Sequence, residues 1–410
     1  MLKDTVKNIN KVGKMVINGY LERDYSYLAK PEYVKSENEK PRLNLVISSI
    51  DKGKMYGGLT TAVNLYFYLC KVLKWDMRII VTENPVTEEV LGQYSGFVLE
   101  SSDRDSGVHR SVCNLQAADG KRGKLAVRGR DIMMTTYWST HYMIAEIVKY
   151  QKETFGTDTK LIYLIQDFEP GFYPWSTEYM LCESTYKTGN TVAVFNSGNL
   201  KNYVEKQGYT FEYMIKFEPR LNKTLLDYME KNRDVKKKKQ MIIYGRPKVN
   251  RNCFAIIVEA LKLFANRYEG AAEWEFLSLG GKHRDVKLGN GCVLKACGKL
   301  TLEEYAKVLA SSSVGISLMC SPHPSYPPLE MAAYGVKTIT NSFVCKDLSG
   351  FSSNIISLDV VNFDTVAAAV EKAAADVASS RPMTGEDVYL QLGNQFDEVG
   401  KVIKEIFTAI

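Results

Sequence analysis

Short apolar runs recur along the whole chain, and the stretches between several of them repeat their apolar positions at helical spacing. In the first half the runs lie at residues 43–49, 77–81, 132–136, 161–165 and 192–195. Their length and continuity suit strands buried on both faces of a parallel sheet. Between the first two, Leu59, Ala62, Val63, Tyr66, Cys70 and Leu73 form the i, i+3, i+4, i+7 stripe of an amphipathic helix. Residues 101–129 break this rhythm; polar and glycine-containing, they predict a loop or a small hairpin. A second train of runs follows at 241–244, 274–279, 293–296, 314–318, 337–340 and 355–358. Phe254, Ile257, Val258, Leu261 and Phe264 make a helical stripe between its first two members. Such alternation predicts an α/β protein whose parallel sheets carry helices on both faces.

A chain of 410 residues is too long for one ordinary core and suggests two domains, or at most three. The two trains therefore predict two Rossmann-like, doubly wound domains, residues 1–225 and 238–385, facing each other across a cleft. Residues 386–410, with Tyr389, Leu392, Phe396, Val399, Ile403 and Ile406, read as an amphipathic helix that needs another surface to cover it. It is expected to cross back toward the first domain. At the other end, Leu2, Val6, Ile9, Val12 and Val16 face Lys3, Lys7, Lys11 and Lys14. Residues 1–35 thus predict a basic helical extension, able to lie on a membrane surface or to pack on its own domain.

Composition changes this picture little. Apolar content of 45% and charged content of 24% are those of a soluble globular protein. No run approaches the ~20 apolar residues of a membrane span, and the basic start lacks a secretory apolar core. The expected location is the cytoplasm, at the inner face of the membrane if the extension binds there. Eight cysteines without a Cys-x-x-Cys spacing read as reduced thiols, and four histidines make a zinc site unexpected. The net charge of +6 suits an anionic ligand such as a nucleotide, or an anionic membrane surface, and does not argue for nucleic acid. The run Lys236 to Lys239 reads as part of a solvated linker.

The residues with chemical potential cluster at predicted strand ends. Arg246 directly follows the run at 241–245, Arg251 comes five positions later at the mouth of the next helix, and Lys299 follows the run at 293–298. Permanent cations at the carboxyl edge of a sheet suit a diphosphate, both as ligand and as leaving group. Residues 321–335, reading SPHPSYPPLEMAAYG, follow another strand; Pro327-Pro328 suits a helix start and places Glu330 in the first turn. A carboxylate there can accept hydrogen bonds from a ribose, while free N–H groups of the first turn face an anion; equally, it can be an acid that stabilises the helix dipole.

In the first half, Asp167 and Glu169 follow the run at 161–165, and Asp167 is a candidate base or ligand for an acceptor hydroxyl. A turn carboxylate before Pro170 explains it nearly as well. Gly57-Gly58 lets the donor diphosphate or the acceptor approach the backbone, or simply forms the turn before the helix. Tyr137 and Trp138 are a candidate apolar platform for a sugar ring, with a core position as the alternative.

These residues carry a resemblance. Gly245-Arg246 with Arg251, Gly298-Lys299 opening the helix at 301–305, and Pro327-Pro328-Leu329-Glu330 through Gly335 resemble family 4 glycosyltransferases of the GT-B fold. Trp138 and the segment Gln166-Asp167-Phe168-Glu169-Pro170 resemble a narrower branch, the rhamnosyltransferases of bacterial surface polysaccharides and S-layer glycans, of the WsaF type. The resemblance implies Arg246 and Lys299 on the diphosphate, and Glu330 on the nucleoside sugar. It implies dTDP-L-rhamnose as donor, retention of configuration, no metal or other cofactor, and a glycan acceptor, lipid-linked and rhamnose-containing. Two departures stand out: Arg251 occupies a position where the family has lysine, and Pro322 one where it has a second glutamate that contacts the donor sugar. Sugar recognition is then expected from elsewhere, with backbone groups at Ser325 and Tyr326 as candidates.

Other classes are less well supported. Asp103-Arg104-Asp105 is a D-x-D, the metal and diphosphate motif of GT-A glycosyltransferases, yet it sits in a polar loop and does not end an apolar run. Neither G-x-G-x-x-G nor G-x-x-x-x-G-K-[ST] occurs. A nucleotide-sugar epimerase of similar shape, or a nucleotide- or carbohydrate-binding protein without catalysis, remains as a rival.

Overall fold

The computed structural model describes residues 24–53, 57–118, 121–383 and 395–408. Chain compactness separates two units, Met1–Leu164 with Thr188–Val192, and Ile165–Lys187 with Ala193–Ile410. In sequence the last strand of the first sheet is Tyr213–Lys216 and the first strand of the second is Lys238–Gly245; the segment from Asp167 to Phe172 is tied by charge and hydrogen bonds to Arg251 and Ser321.

In the first unit the strands Asp131–Thr135, Arg42–Ile47, Asp76–Val81, Arg110–Asn114 and Val98–Leu99 lie side by side in that order, all parallel. Leu161–Ile165 flanks Asp131–Thr135 on its other side. The apolar runs became strands because Leu45, Ile47, Ile79 and Met133 are wholly removed from water. The predicted stripe lies on the helix Gly57–Leu73, with Ala62, Val63, Tyr66 and Cys70 buried. Two expectations need correction. The stretch at 101–129 contributes the strand Arg110–Asn114 to the main sheet. The expected basic helix does not reach residue 35: Glu32–Lys35 is a strand paired in parallel with Lys124–Val127, and residues 1–23 lie outside the described residues.

Beneath these strands lies a buried ionic network. Asp131 accepts from Arg42 Nε at 2.7 Å and Nη2 at 2.8 Å, from Asn44 Nδ2 at 2.9 Å and from the Arg128 N–H at 2.9 Å. Arg128 in turn donates to Asp105 and Asp76 at 2.7 Å. Arg78 gives its Nη1 to the Ala126 carbonyl at 2.8 Å.

The second unit holds a sheet in the order Val286–Gly289, Cys292–Gly298, Glu275–Gly280, Lys238–Gly245, Ser312–Ile316, Lys337–Asn341 and Ile355–Leu358. Val286–Gly289 runs antiparallel to its neighbour; the others are parallel. Alternate side chains of one strand serve two cores, as strand geometry requires. Met241 and Ile243 join the helices Phe254–Arg267 and Phe363–Ala375. Ile242 faces the opposite layer, with Leu225, Leu309 and Leu329. The helix Asp397–Thr408 packs in this unit on the strand Tyr213–Lys216, with Phe396 edge-on to Phe217 at 5.0 Å.

Candidate functional site

The strand order of the second sheet selects a place on its edge. From Lys238–Gly245 the chain passes through the helix Phe254–Arg267 to Glu275–Gly280 on one side. From the neighbouring strand Ser312–Ile316 it passes through Pro327–Ala333 to Lys337–Asn341 on the other. The winding reverses between two adjacent parallel strands, and open α/β sheets bind ligands outside the carboxyl ends at that reversal. Arg246, Arg251, the loop at 317–326 and Glu330 all come from these two strand ends.

Local packing explains why the sequence turns as it does there. A Cβ on Gly245 would meet Ser278 Oγ at 1.9 Å, so only glycine lets the strand end beside its neighbour. The Gly281 N–H donates to the Gly245 carbonyl at 2.7 Å. Arg246 emerges half-buried from this joint, its Nη1 3.4 Å from the Tyr244 hydroxyl. Arg251 lies in the 3-10 turn Asn250–Asn252, and its carbonyl accepts the Cys320 N–H at 2.7 Å. Its guanidinium lies 4.2 Å from the centre of the Phe172 ring. Its Nε is 3.5 Å from Asp167 Oδ2, an ion pair without hydrogen-bond geometry. Lys299 is exposed after Cys292–Gly298, two places along the sheet from the Arg246 strand.

Glu330 lies in the first turn of Pro327–Ala333, as its sequence context predicts. Tyr305 donates its hydroxyl to Glu330 Oε2 at 3.0 Å. The side chain keeps some surface, but the protein atoms crowded around it push the carboxyl up to about 7, against the opposing effect of the Tyr305 hydrogen bond. The expected row of free N–H groups at this helix start is reduced, because prolines fill its first two positions and have none to offer.

The loop before that helix is pinned from several directions. The Met319 N–H donates to Asn341 Oδ1 at 2.7 Å, and Lys346 Nζ donates to the Met319 carbonyl at 2.8 Å. Lys346 is buried, which pushes its ammonium down to about 8 despite the nearby charge of Asp167. Ser321 donates its hydroxyl to Asp167 Oδ1 and accepts the His323 N–H at 3.0 Å. Asp167 Oδ1 also accepts the Phe168 N–H at 2.8 Å. Ser325 has a φ of +67°, unusual for a residue with a side chain, and its N–H donates to His323 Nδ1 at 3.0 Å. Asp167 is thereby brought together with Arg251 and the loop. Ser321, His323 and Lys346 were not singled out from sequence; the signal available was their proximity to the Pro-rich motif and to its neighbouring strand.

The remaining candidates divide. Gly57 and Gly58 open the helix Gly57–Leu73 and are exposed, and a Cβ on Gly57 would meet nothing. Trp138 is corrected: it is 0% exposed, with Tyr27 edge-on at 6.3 Å, so its ring belongs to the core and offers no platform. Glu169 is corrected likewise, being 1% exposed at the start of the 3-10 turn Glu169–Phe172, and is no surface ligand for an acceptor. In the D-x-D, Asp105 is spent on Arg128, Arg42 and Ser36. Tyr326, half-buried, caps the Pro327 helix.

Comparison with known proteins accords with this geometry. The WsaF N-terminal domain family matches residues 42–198, and the WsaF C-terminal domain family matches residues 239–371. The chain belongs to the WsaF-type GT-B glycosyltransferases. In this WsaF-type chain, Arg246, Arg251, Lys299 and Glu330 fall in the matched C-terminal domain, and Gly57, Gly58 and Asp167 in the matched N-terminal one. The O-antigen biosynthesis protein RfbC of Myxococcus xanthus is 31% identical over 180 residues, which is 44% of this chain and 14% of that relative. Sucrose-phosphate synthase from Thermosynechococcus elongatus matches 90% of this chain and 100% of its own, with TM-score 0.60 and 12% identity. Anabaena HepE in complex with UDP-glucose matches over 90% and 100%, with TM-score 0.55 and 12% identity. At such identities the structures show the fold alone, and that fold is GT-B.

Proposed function

We propose that this chain is a metal-independent glycosyltransferase that moves L-rhamnose from dTDP-L-rhamnose to a rhamnose-containing, lipid-linked glycan during cell-surface polysaccharide synthesis, with retention of configuration. The observation that carries the reading is the convergence of Arg246, Arg251 and Glu330 on the strand-order reversal of the second sheet. Charge-assisted hydrogen bonds to a phosphate contribute ~1.5–3 kcal/mol each, so such cations hold a diphosphate and stabilise it as it departs. The RfbC relative supports the polysaccharide setting, and the HepE complex supports a nucleotide-sugar donor. Asp167 is assigned to the acceptor side as base or hydroxyl ligand, supported by its Ser321 contact with the donor loop. No helix among the described residues is long and apolar enough to cross a membrane; surface binding is assigned to residues 1–23. The deciding experiment is a donor screen by mass spectrometry with a short rhamnose acceptor. Transfer from another nucleotide sugar, or conversion of donor without acceptor, would reject the assignment.

Glu330 predicts a pH dependence. Its folded-state pKa stands near 7, above the usual carboxylate range, so it is partly protonated below neutrality and ionises as pH rises. The 3′-hydroxyl of the dTDP deoxyribose donates more strongly to the carboxylate than to the protonated acid. The affinity for dTDP is therefore expected to rise about tenfold from pH 6 to pH 8. Calorimetry on Glu330→Gln supplies the control, since the slope from this group must vanish there; an unchanged slope would remove Glu330 from the nucleoside sugar. Stability runs the opposite way: the raised carboxyl contributes to it below the unfolded value, and that contribution is lost as pH rises through 7.

An acceptor platform is expected at Trp175, which is 94% exposed on the segment running on from Asp167 through Phe172. Trp175→Ala should raise the acceptor KM about tenfold, equivalent to about 1.4 kcal/mol, and leave the donor KM unchanged. Equal kinetics for both substrates would exclude the platform.

A further inference from the structure

The loop at 317–326 contains a buried hydrogen-bond donor that its own fold does not use. His323 is 8% exposed, and its Nε2 has no partner. The Ser325 N–H can only donate, so Nδ1 is the accepting nitrogen and the ring hydrogen resides on Nε2. Burial holds the imidazole down to about 4, so near neutral pH it is uncharged. An orphaned buried donor costs about 1–3 kcal/mol, which is hard to reconcile with a purely structural ring. It is not isolated. Ser317 Oγ, Asn252 Oδ1 and Arg251 Nε are also buried without hydrogen-bond partners, and all belong to this loop or to the turn that binds it. Unsatisfied polar atoms gathered around one loop mark a place where polar partners arrive with a ligand.

We infer that His323, through its Nε2–H, contacts an oxygen of the sugar being transferred, and so helps this chain select its donor. The inference rests on the donor-site reading above. Its chemistry separates the sugar from the phosphates. A diphosphate is best met by permanent cations, which Arg246, Arg251 and Lys299 supply, whereas a neutral imidazole matches the neutral hydroxyl or ring oxygen of a sugar. Because Nε2 is closed to solvent, the loop must yield as the ligand enters. The Ser321 hydroxyl's bond to Asp167 is among the contacts that hold it. The loop then reads the sugar with a donor that cannot accept. Any sugar oxygen placed there accepts this hydrogen bond, and a sugar lacking an oxygen at that position leaves the donor unpaired.

Two substitutions separate the nitrogens. His323→Asn keeps an acceptor near Nδ1 for the Ser325 N–H and loses the distal donor. His323→Gln restores an N–H at about the reach of Nε2. Calorimetry with dTDP and with dTDP-L-rhamnose is expected to show His323→Asn losing about tenfold in affinity for the nucleotide sugar and under twofold for dTDP. His323→Gln should recover most of the loss. Equal weakening toward both ligands would place the contact on the phosphates or make the ring a scaffold, and no weakening would make Nε2 idle; either overturns the inference. A wild-type chain that binds neither ligand would instead reject the donor-site reading, and this inference with it.

Discussion

Arg246→Ala is expected to lower kcat about a hundredfold or more, the scale seen when one preorganised stabiliser of developing charge is removed. The argument starts from where the side chain is held. Gly245 is jammed against Ser278 and bonded through its carbonyl to Gly281, so the backbone that carries Arg246 cannot drift. The guanidinium is half-buried and leans on the Tyr244 hydroxyl, leaving most of its donors for a ligand. Charge on a departing diphosphate is greater than in the intact donor, so the interaction strengthens toward the transition state and its loss appears in kcat. Arg246→Lys keeps the charge without the planar fork and should fall between. Single-turnover transfer followed by mass spectrometry, with melting curves to exclude unfolding, checks this. A kcat within threefold of wild type would sink the role assigned to Arg246.

Much of this site was legible because its signals are local. A strand that ends in Gly245-Arg246, or a loop that enters a helix through Pro327-Pro328, is written in consecutive residues, and the topology that gathers them follows from alternating runs. What was not legible depends on partners far along the chain. Trp138 follows a strand as an exposed platform would, but only the structure shows Tyr27 laid edge-on against it. Arg110–Asn114 carries few apolar residues, yet it is a strand because its neighbour Asp76–Val81 offers a full row of backbone groups to pair. Nothing near His323 in the sequence distinguishes it from any loop histidine; the structure places the Ser325 N–H on Nδ1 and leaves Nε2 without a partner. Arg42, Arg78 and Arg128 carry no signal of a partner in their own stretches of sequence, yet each is buried. Their acids stand on other strands and loops, so no spacing rule announces the pairing.

That network carries the largest stability effect. Asp131→Ala is expected to destabilise the protein by about 3–5 kcal/mol, the cost of leaving buried charge without its partner. Burial opposes ionisation of Asp131, but the charge and hydrogen bonds of Arg42, then the charge of Arg78, hold its carboxyl below the usual range. Arg78 shows the strain from the other side, pushed down to about 10 by burial and by Arg42. With Asp131 gone, Arg42 Nε, the Asn44 amide and the Arg128 N–H lose an acceptor at once, and water cannot reach them. Since a domain is stable by only ~5–15 kcal/mol, the loss should show as a large fall in urea midpoint. Asp131→Asn keeps the shape and some acceptor capacity and should cost less. The pH sign follows: Asp131, Asp105 and Asp76 all have lowered pKa values, so their contribution is present above about pH 4 and is lost as pH falls through the folded values. Urea unfolding at pH 7 and at pH 3.5 tests both statements, for the gap between wild type and Asp131→Ala must narrow on acidification. A variant that unfolds at the wild-type midpoint at pH 7 would mean that the network is replaceable by solvent, and that the arginines under the first sheet find other acceptors.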